Sequence, residues 1–306
     1  MHTIQIPEAN ITRYIPSELA ECTRQEYLDM CDLLFRWIIT DITYEELRVH
    51  AVYKLMNMKP KNEFLLREQE DNKFGNIHLL SELIDDFFEI NQENQKTIKQ
   101  NYIHNPIPFF RPRLKTYYGP TDQFANIKFG EYCDALRLFH QFNATGDVQL
   151  LFEIAAILYR PKKAFHFFKK RQNNYDGDVR IKYNAATVEE RAKAFRYMPM
   201  GFIYGFYLFF ASFQKTISTA EIDWAGKKID LSILFQSDRS DDDVDVGHDD
   251  IGMDAIMFSM AESGVFGTQT ELQNTSVMMV LIRMYDVRLK DLKIKKQQED
   301  AERSQT

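Results

Sequence analysis

Cysteine is scarce in this chain: three residues in 306 (Cys22, Cys31, Cys133). Their number and scatter exclude a disulfide framework and a zinc-ligand spacing, so a reducing compartment, the cytoplasm, is the expected setting. Histidine forms no metal pattern. The seven residues (His2, His50, His78, His104, His140, His166, His248) contain no HxxxH or HExxH spacing. Glycine is sparse, and its positions build no Walker A loop, no Rossmann fingerprint and no GxSxG elbow. With those motifs missing, the sequence assigns no catalytic residue, no cofactor and no metal ligand, and the expectation is a protein without enzymatic activity. Positive charge is in deficit: the net charge is −7, which argues against bulk nucleic-acid binding because that requires a basic face. Long hydrophobic runs are lacking as well. The most apolar stretch, 198–213, contains Pro199, Gly201 and Gly205 and falls short of the roughly 20 residues a membrane span needs. No basic segment followed by an apolar run opens the chain, so neither a secretory leader nor a membrane partner is expected.

What is present is apolar and aromatic. Hydrophobic residues make up 44%, with 24 Phe and 15 Tyr, enough for a packed core and too much for a disordered chain. The expected class is mainly α, built from duplicated helix-pair units with minor β-hairpins. The duplication is read from a pattern that occurs twice. Glu26-Tyr27-Leu28-Asp29 is followed by Leu33 and by a segment ending in Ala51-Val52-Tyr53-Lys54-Leu55. Glu131-Tyr132-Cys133-Asp134 is followed by Leu138 and by a segment ending in Ala156-Ile157-Leu158-Tyr159-Arg160-Pro161. Residues 23–57 and 128–160 are therefore expected to superpose, with Tyr27 matching Tyr132 and Tyr53 matching Tyr159.

Local signals place the elements. Thr23-x-x-Glu26, Thr43-x-x-Glu46 and Thr187-x-x-Glu190 read as capping boxes. The first opens a helix to about Ile39 and the second a helix to about Asn57. A further amphipathic helix is expected over 77–90, burying Leu79, Leu80, Leu83, Ile84, Phe87 and Phe88. Prolines 106, 108, 112 and 120 break helix, so an extended arm or hairpin is expected near 106–120, and Asn143 to Gly146 ends the first helix of the second pair. Asp176-Gly177 makes a turn for a hairpin near 164–184, and a small hairpin is expected at 222–229. Gly201, Gly205 and Ser212 share one face of the apolar helix and would admit another element at close range. Two last helices are expected at 252–262 and 276–297, with a frayed charged tail beyond Lys293. The organisation read from these signals is an N-terminal helical subdomain (1–104), a second region with helix pair, basic hairpin and apolar helix (105–236), an acidic mobile loop (237–250) and a C-terminal helix pair with its tail (251–306).

Two segments carry charge chemistry. Asp241-x-Asp243-x-Asp245 imitates the start of an EF-hand loop, but Val246 stands where glycine is required and Gly252 where a bidentate glutamate belongs; a solvated loop without tight metal binding is expected. The stretch 160–171 interleaves six Lys/Arg with three Phe, a mixture that serves a protein-contact surface or, as the alternative, single-stranded nucleic acid. Glu26/Asp29 and Glu131/Asp134, at the starts of helices, complement the helix dipole.

Several stretches resemble a family of uncharacterised proteins encoded in the tail-gene region of tailed phages and prophages. They are Ile15-Pro16-Ser17 through Glu26-Tyr27-Leu28, Tyr118-Gly119-Pro120, Phe129-Gly130-Glu131-Tyr132, Ala155-Ala156-Ile157-Leu158-Tyr159-Arg160-Pro161 and Met260 through Gly267. Where that family often has a tryptophan after the first Pro-Ser, this chain has Glu18 and Leu19. The Ala-x-Leu-Tyr-Arg-Pro helix end is similar to that of tail assembly chaperones. The resemblance implies a tail assembly protein, chaperone or minor structural component, acting in the host bacterial cytoplasm or retained in the virion. It also implies a protein partner such as the tape-measure protein. Apart from the resemblance, the repeat itself leads to the expectation that the two helix pairs present aromatic surface to a helical segment of a partner, with Phe35, Trp37, Phe139 and Phe142 as the contacts; the alternative is that all four are core. No oligomeric state follows from the sequence.

Overall fold

The computed structural model describes the whole chain except residues 7–9, 59–66, 92–93, 113–114, 172–174, 220, 225, 235–264 and 304–306. Along the chain come β1 (His2–Ile6), β2 (Ile11–Ile15), α1 (Arg24–Ile38), α2 (Tyr44–Leu55), α3 (Arg67–Glu82), β3 (Phe88–Ile90), β4 (Lys96–Ile98), β5 (Phe109–Phe110), β6 (Tyr117–Tyr118), α4 (Phe129–Thr145) and α5 (Val148–Leu158). Then follow β7 (Arg160–Pro161), α6 (His166–Lys169), α7 (Val188–Phe195), α8 (Met200–Thr219), β8 (Glu221–Trp224), β9 (Lys227–Asp230), α9 (Gln269–Gln273) and α10 (Val277–Arg303). The fold is mainly α. Its strands form small antiparallel sheets: the hairpins β1–β2, β3–β4 and β8–β9, and the three-stranded order β5-β6-β7. Among the described residues, no helix is long and apolar enough to cross a membrane.

The chain divides into two compact units. One holds residues 1–108 and 195–212; the other holds 109–194 and 213–306. The division falls within α8, after Ser212. A reading of the sequence as consecutive segments has no way to express that.

In the first unit, Thr23 and Thr43 close capping boxes with Glu26 and Glu46, which fixes where α1 and α2 begin. Tyr27, Met30, Cys31 and Leu34 of α1 and Leu47, Ala51 and Val52 of α2 are buried. The small-residue face of α8 seats against α1. A Cβ at Gly201 would collide with the Leu28 carbonyl oxygen, and one at Gly205 would stand 3.0 Å from the Tyr27 ring. The Tyr27 hydroxyl donates to the Gly205 carbonyl at 2.8 Å and lies 2.9 Å from the Tyr102 hydroxyl. Since Tyr27 has one proton to give, Tyr102 is the donor in that second bond. Ser212 completes the face by accepting from the Tyr102 amide at 3.1 Å and donating to its carbonyl. A second anchor is Asp85, which accepts from the Tyr44 hydroxyl, from Arg48 at 2.9 Å and from Lys96 at 2.9 Å. Burial opposes the charge of Asp85, but these donors outweigh it and hold the carboxyl below its ordinary range.

Four expectations are corrected here. The helix expected over 77–90 ends at Glu82. Residues 83–87 form a 3-10 turn and Phe88 begins β3, where the backbone finds partners in β4 across Phe88↔Ile98 and Ile90↔Lys96. Leu79, expected inside, is exposed. Thr187 does not cap α7: its hydroxyl donates to the Asn184 carbonyl, and Asn184 caps the preceding turn. The charged tail beyond Lys293 continues as helix to Arg303. The helix expected at 252–262 and the acidic loop 237–250 lie outside the described residues. The 222–229 hairpin is present, with Gly226 at φ 76° in its turn; the β1–β2 hairpin and α9 were not anticipated.

Both halves of the duplicated pattern are helix pairs. Tyr27 and Tyr132 are fully buried and each sends its hydroxyl to α8, to Gly205 in the first unit and to Gln214 in the second. The closing tyrosines are not equivalent. Tyr53 lies half-buried within α2, whereas Tyr159 is fully buried just beyond α5.

The close approach at Gly201 gives a direct test. Gly201→Ala places a methyl against a backbone oxygen that no rotamer change can move, and should cost about 1–3 kcal/mol by denaturant unfolding. Gly75→Ala, on α3 with open space around it, should be neutral or stabilising by about 0.5–1 kcal/mol. Equal effects at the two positions would contradict the packing described.

Candidate functional site

The second unit is organised around charge that has been taken out of water. Glu131 stands at the third position of α4, where its carboxylate accepts from the Lys128 amide at 2.6 Å. It is fully buried, as are Arg180 and, at 1% exposure, Arg160. Arg160, at the start of β7, pairs with Glu131 and donates to the carbonyls of Ile157 and Ile181, each at 2.9 Å. Arg180 reaches Glu131 at 3.2 Å and embraces Asp178 at 2.9 and 3.0 Å, while donating to the carbonyls of Leu158 at 2.8 Å and Asn126 at 2.9 Å. Asp178 also takes a bond from the Asn126 amide at 3.2 Å and faces Arg160 at 3.5 Å. Two guanidinium groups and two carboxylates thus balance, and most guanidinium protons have an acceptor. That is the condition under which buried charge is tolerated. Burial and the neighbouring Arg180 pull the pKa of Arg160 down. For Arg180 burial acts in the same sense, but Glu131 and Asp178 outweigh it and the net shift is upward.

Local structure brings these groups together. Arg160 is placed by Tyr159, whose ring lies where a Cβ on Gly119 would stand, and by the pairing of Tyr118 with Arg160 in the sheet. The 176–181 strap returns antiparallel to 161–163, through Lys163 N to Val179 O and Ile181 N to Pro161 O, each at 2.9 Å. The hairpin expected near 164–184 is therefore reduced to a bridge at Lys162↔Arg180, and its tip carries the short helix α6. The segment after α9 closes the third side: Phe129 N donates to Thr275 O at 2.8 Å and Val277 N to Ile127 O at 3.1 Å.

Above this network opens a cavity of about 770 Å³. The first turns of α4 contribute Lys128, Gly130, Cys133 and Asp134. The strap contributes Asp176, Lys182, Tyr183 and Asn184, and α9 with the residue after it contributes Thr270, Gln273 and Asn274. Its carboxylates are already engaged. Asp176 holds Lys163 at 2.7 Å, Asp134 holds Arg137 at 3.2 Å and accepts from the Tyr183 hydroxyl, and Asp178 belongs to the network below.

A different surface is formed by α6 and its flanks. Phe165, Phe167 and Phe168 are 78%, 64% and 65% exposed, an unusual state for three neighbouring phenylalanines. Lys162, Lys170 and Arg171 are exposed among them, and the Arg171 guanidinium lies 4.4 Å above the Phe167 ring. The basic stretch 160–171 is thereby divided in two. Arg160 is internal and unavailable to any ligand, and the exposed basic-aromatic surface starts at Lys162.

The residues expected to face a partner are divided between the two units. Phe35 is buried against Tyr204, and Trp37 is half-buried against Tyr44 and Phe88, both in the first unit. Phe142 is buried in the second unit, and Phe139 is half-buried beside the His140 ring. Phe35 and Phe142 therefore spend their area on packing. Sequence periodicity missed α6 because the stretch has no amphipathic repeat. It missed the ion network because Glu131 has the same signature as the half-buried capping residue Glu26. The one available signal was the dense charge of Asp176-Gly177-Asp178-Val179-Arg180, a polar cluster in a segment otherwise read as strand. Comparison of the chain with protein-family models, curated proteins and solved structures finds no match.

Removing one member of the network leaves a buried charge uncompensated. Glu131→Gln should lower stability by about 3–5 kcal/mol in denaturant titration. Glu26→Gln, at the matching position of the first helix pair but half-buried and without an arginine partner, should cost about 1 kcal/mol or less. Similar losses at the two sites would refute the distinction between them.

Proposed function

We propose that this chain is a non-enzymatic assembly protein of a phage or prophage tail, chaperone or minor structural component, that binds a helical segment of a partner protein. The observation that carries this reading is the exposed α6 surface. Three phenylalanines left in water by a protein with ample core are the composition of a binding hot spot, and the surrounding lysines and arginine favour a partner segment that carries acidic residues beside apolar ones. The resemblance of Phe129–Tyr132 and Ala155–Pro161 to tail-region proteins supplies the setting. In this fold those stretches build the scaffold that presents α6, through Glu131, Tyr159 and Arg160. The partner that fits is a long helical protein of the tape-measure kind, whose groove-lying segments offer apolar side chains at helical spacing. A second reading, single-stranded nucleic acid, is favoured by the same aromatic and cationic groups, since bases stack on exposed rings and Arg171 already lies over one.

The test is co-purification of the full chain with the tape-measure-type product of a neighbouring gene, comparing wild type with Phe167→Ser/Phe168→Ser. Both side chains are largely in solvent, so the variant should keep its thermal midpoint and bind at least about tenfold more weakly. Equal binding by the variant, or no complex at all, would remove the assembly reading. Salt-dependent retention of a single-stranded oligonucleotide, lost in the same variant, would put the second reading in its place.

A further inference from the structure

The cavity above the ion network holds a surplus of positive charge, and its lining indicates what would neutralise it. Charges that face each other can be removed in pairs. Arg160 and Arg180 cancel Glu131 and Asp178, Lys163 cancels Asp176, and Arg137 cancels Asp134. Lys128 and Lys182 are left, both lining the cavity, with no ion pair of their own among the described residues, although Lys128 lies within electrostatic range of Asp176. Two ammonium groups over one cleft match a dianion. They are also the point-charge donors that phosphate accepts without the planar geometry an arginine imposes. The carboxylates cannot themselves serve a cation, because each is already engaged by an arginine, a lysine or a tyrosine hydroxyl.

The remaining lining is polar and neutral. Asn184 uses its side-chain oxygen to accept from the Ala186 amide at 3.0 Å, which leaves its amide protons for a ligand. Thr270 also lines the cavity. A cavity of about 770 Å³ is of the size that encloses a small organic molecule rather than a lone ion. The floor is rigid, because Arg160 and Arg180 are held by four backbone carbonyls, so the site is formed before a ligand arrives and need not be ordered by it.

We infer that this cavity binds a small organic phosphate, a phosphate monoester on a hydroxyl-bearing body, with Lys128 and Lys182 taking the phosphate. The site is separate from α6, and the inference stands whether or not the assembly reading does.

Titration calorimetry on the full chain at fixed ionic strength tests it, with ribose 5-phosphate, inorganic phosphate and citrate as the three probes. Ribose 5-phosphate should bind saturably and more tightly than inorganic phosphate, and citrate should bind more weakly than ribose 5-phosphate. Lys128→Gln and Lys182→Gln should each weaken ribose 5-phosphate binding about tenfold, with the ligand-free thermal midpoint unchanged. Lys182 is exposed, so its variant remains decisive even if Lys128→Gln disturbs the start of α4. The inference fails if ribose 5-phosphate gives no saturable heat, if both variants bind it as wild type does, if inorganic phosphate binds equally well, or if citrate binds best.

Discussion

The second unit depends on keeping two arginines and two carboxylates in balance without water. Each guanidinium is a fork of fixed geometry, and here the forks reach beyond the carboxylates to the carbonyls of residues 126, 157, 158 and 181. Those carbonyls lie at the entry to α4, at the end of α5 and on the returning strap, three segments distant in sequence. Apolar packing alone could bring them near one another but would not set their register. A charged fork that must find every acceptor does set it, since a slip of one residue would strand a buried proton donor at a cost of several kcal/mol. The same register forms the floor of the cavity and carries α6 outward at the tip of the strap.

The two helix pairs that share the sequence pattern serve different uses. In each unit the leading tyrosine is buried and donates to a residue of α8, to the Gly205 backbone carbonyl in one and to the Gln214 side chain in the other. The preceding glutamates differ in role. Glu26 closes an exposed capping box with Thr23, and Glu131 closes its bond to Lys128 N and then binds two arginines. Lys128 has no side-chain acceptor for a reciprocal cap, so the start of α4 is secured by the ion network and by the backbone of residues 275–277 instead.

What could be read from the sequence followed from local physics. The Thr23 and Thr43 caps, the Gly146 break with Asp147 capping α5 at 2.9 Å to Gln149 N, and the close-packing face Gly201, Gly205, Ser212 all rest on interactions within a few residues or on the absence of a side chain. What could not be read depended on distant partners. Phe88 has the pattern of a helix and becomes strand because β4 is there to pair with it. Leu79 has the pattern of a buried face, but that side of α3 meets solvent. Phe35, Trp37, Phe139 and Phe142 were singled out as aromatics on helices, and burial divides them. Phe165, Phe167 and Phe168, far more exposed than these four, lie at and on α6, where no periodicity marks them.

The account rests on Glu131 and Arg160 being one unit rather than two independent contributors. A double-mutant cycle with Glu131→Gln, Arg160→Met and the double variant, read by urea unfolding, measures that directly. A coupling energy of at least about 1 kcal/mol, with the double variant clearly more stable than the two single losses summed would allow, is the predicted result. Additivity to within about 0.5 kcal/mol would contradict it, and with it the claim that balanced buried charge fixes the register of the second unit.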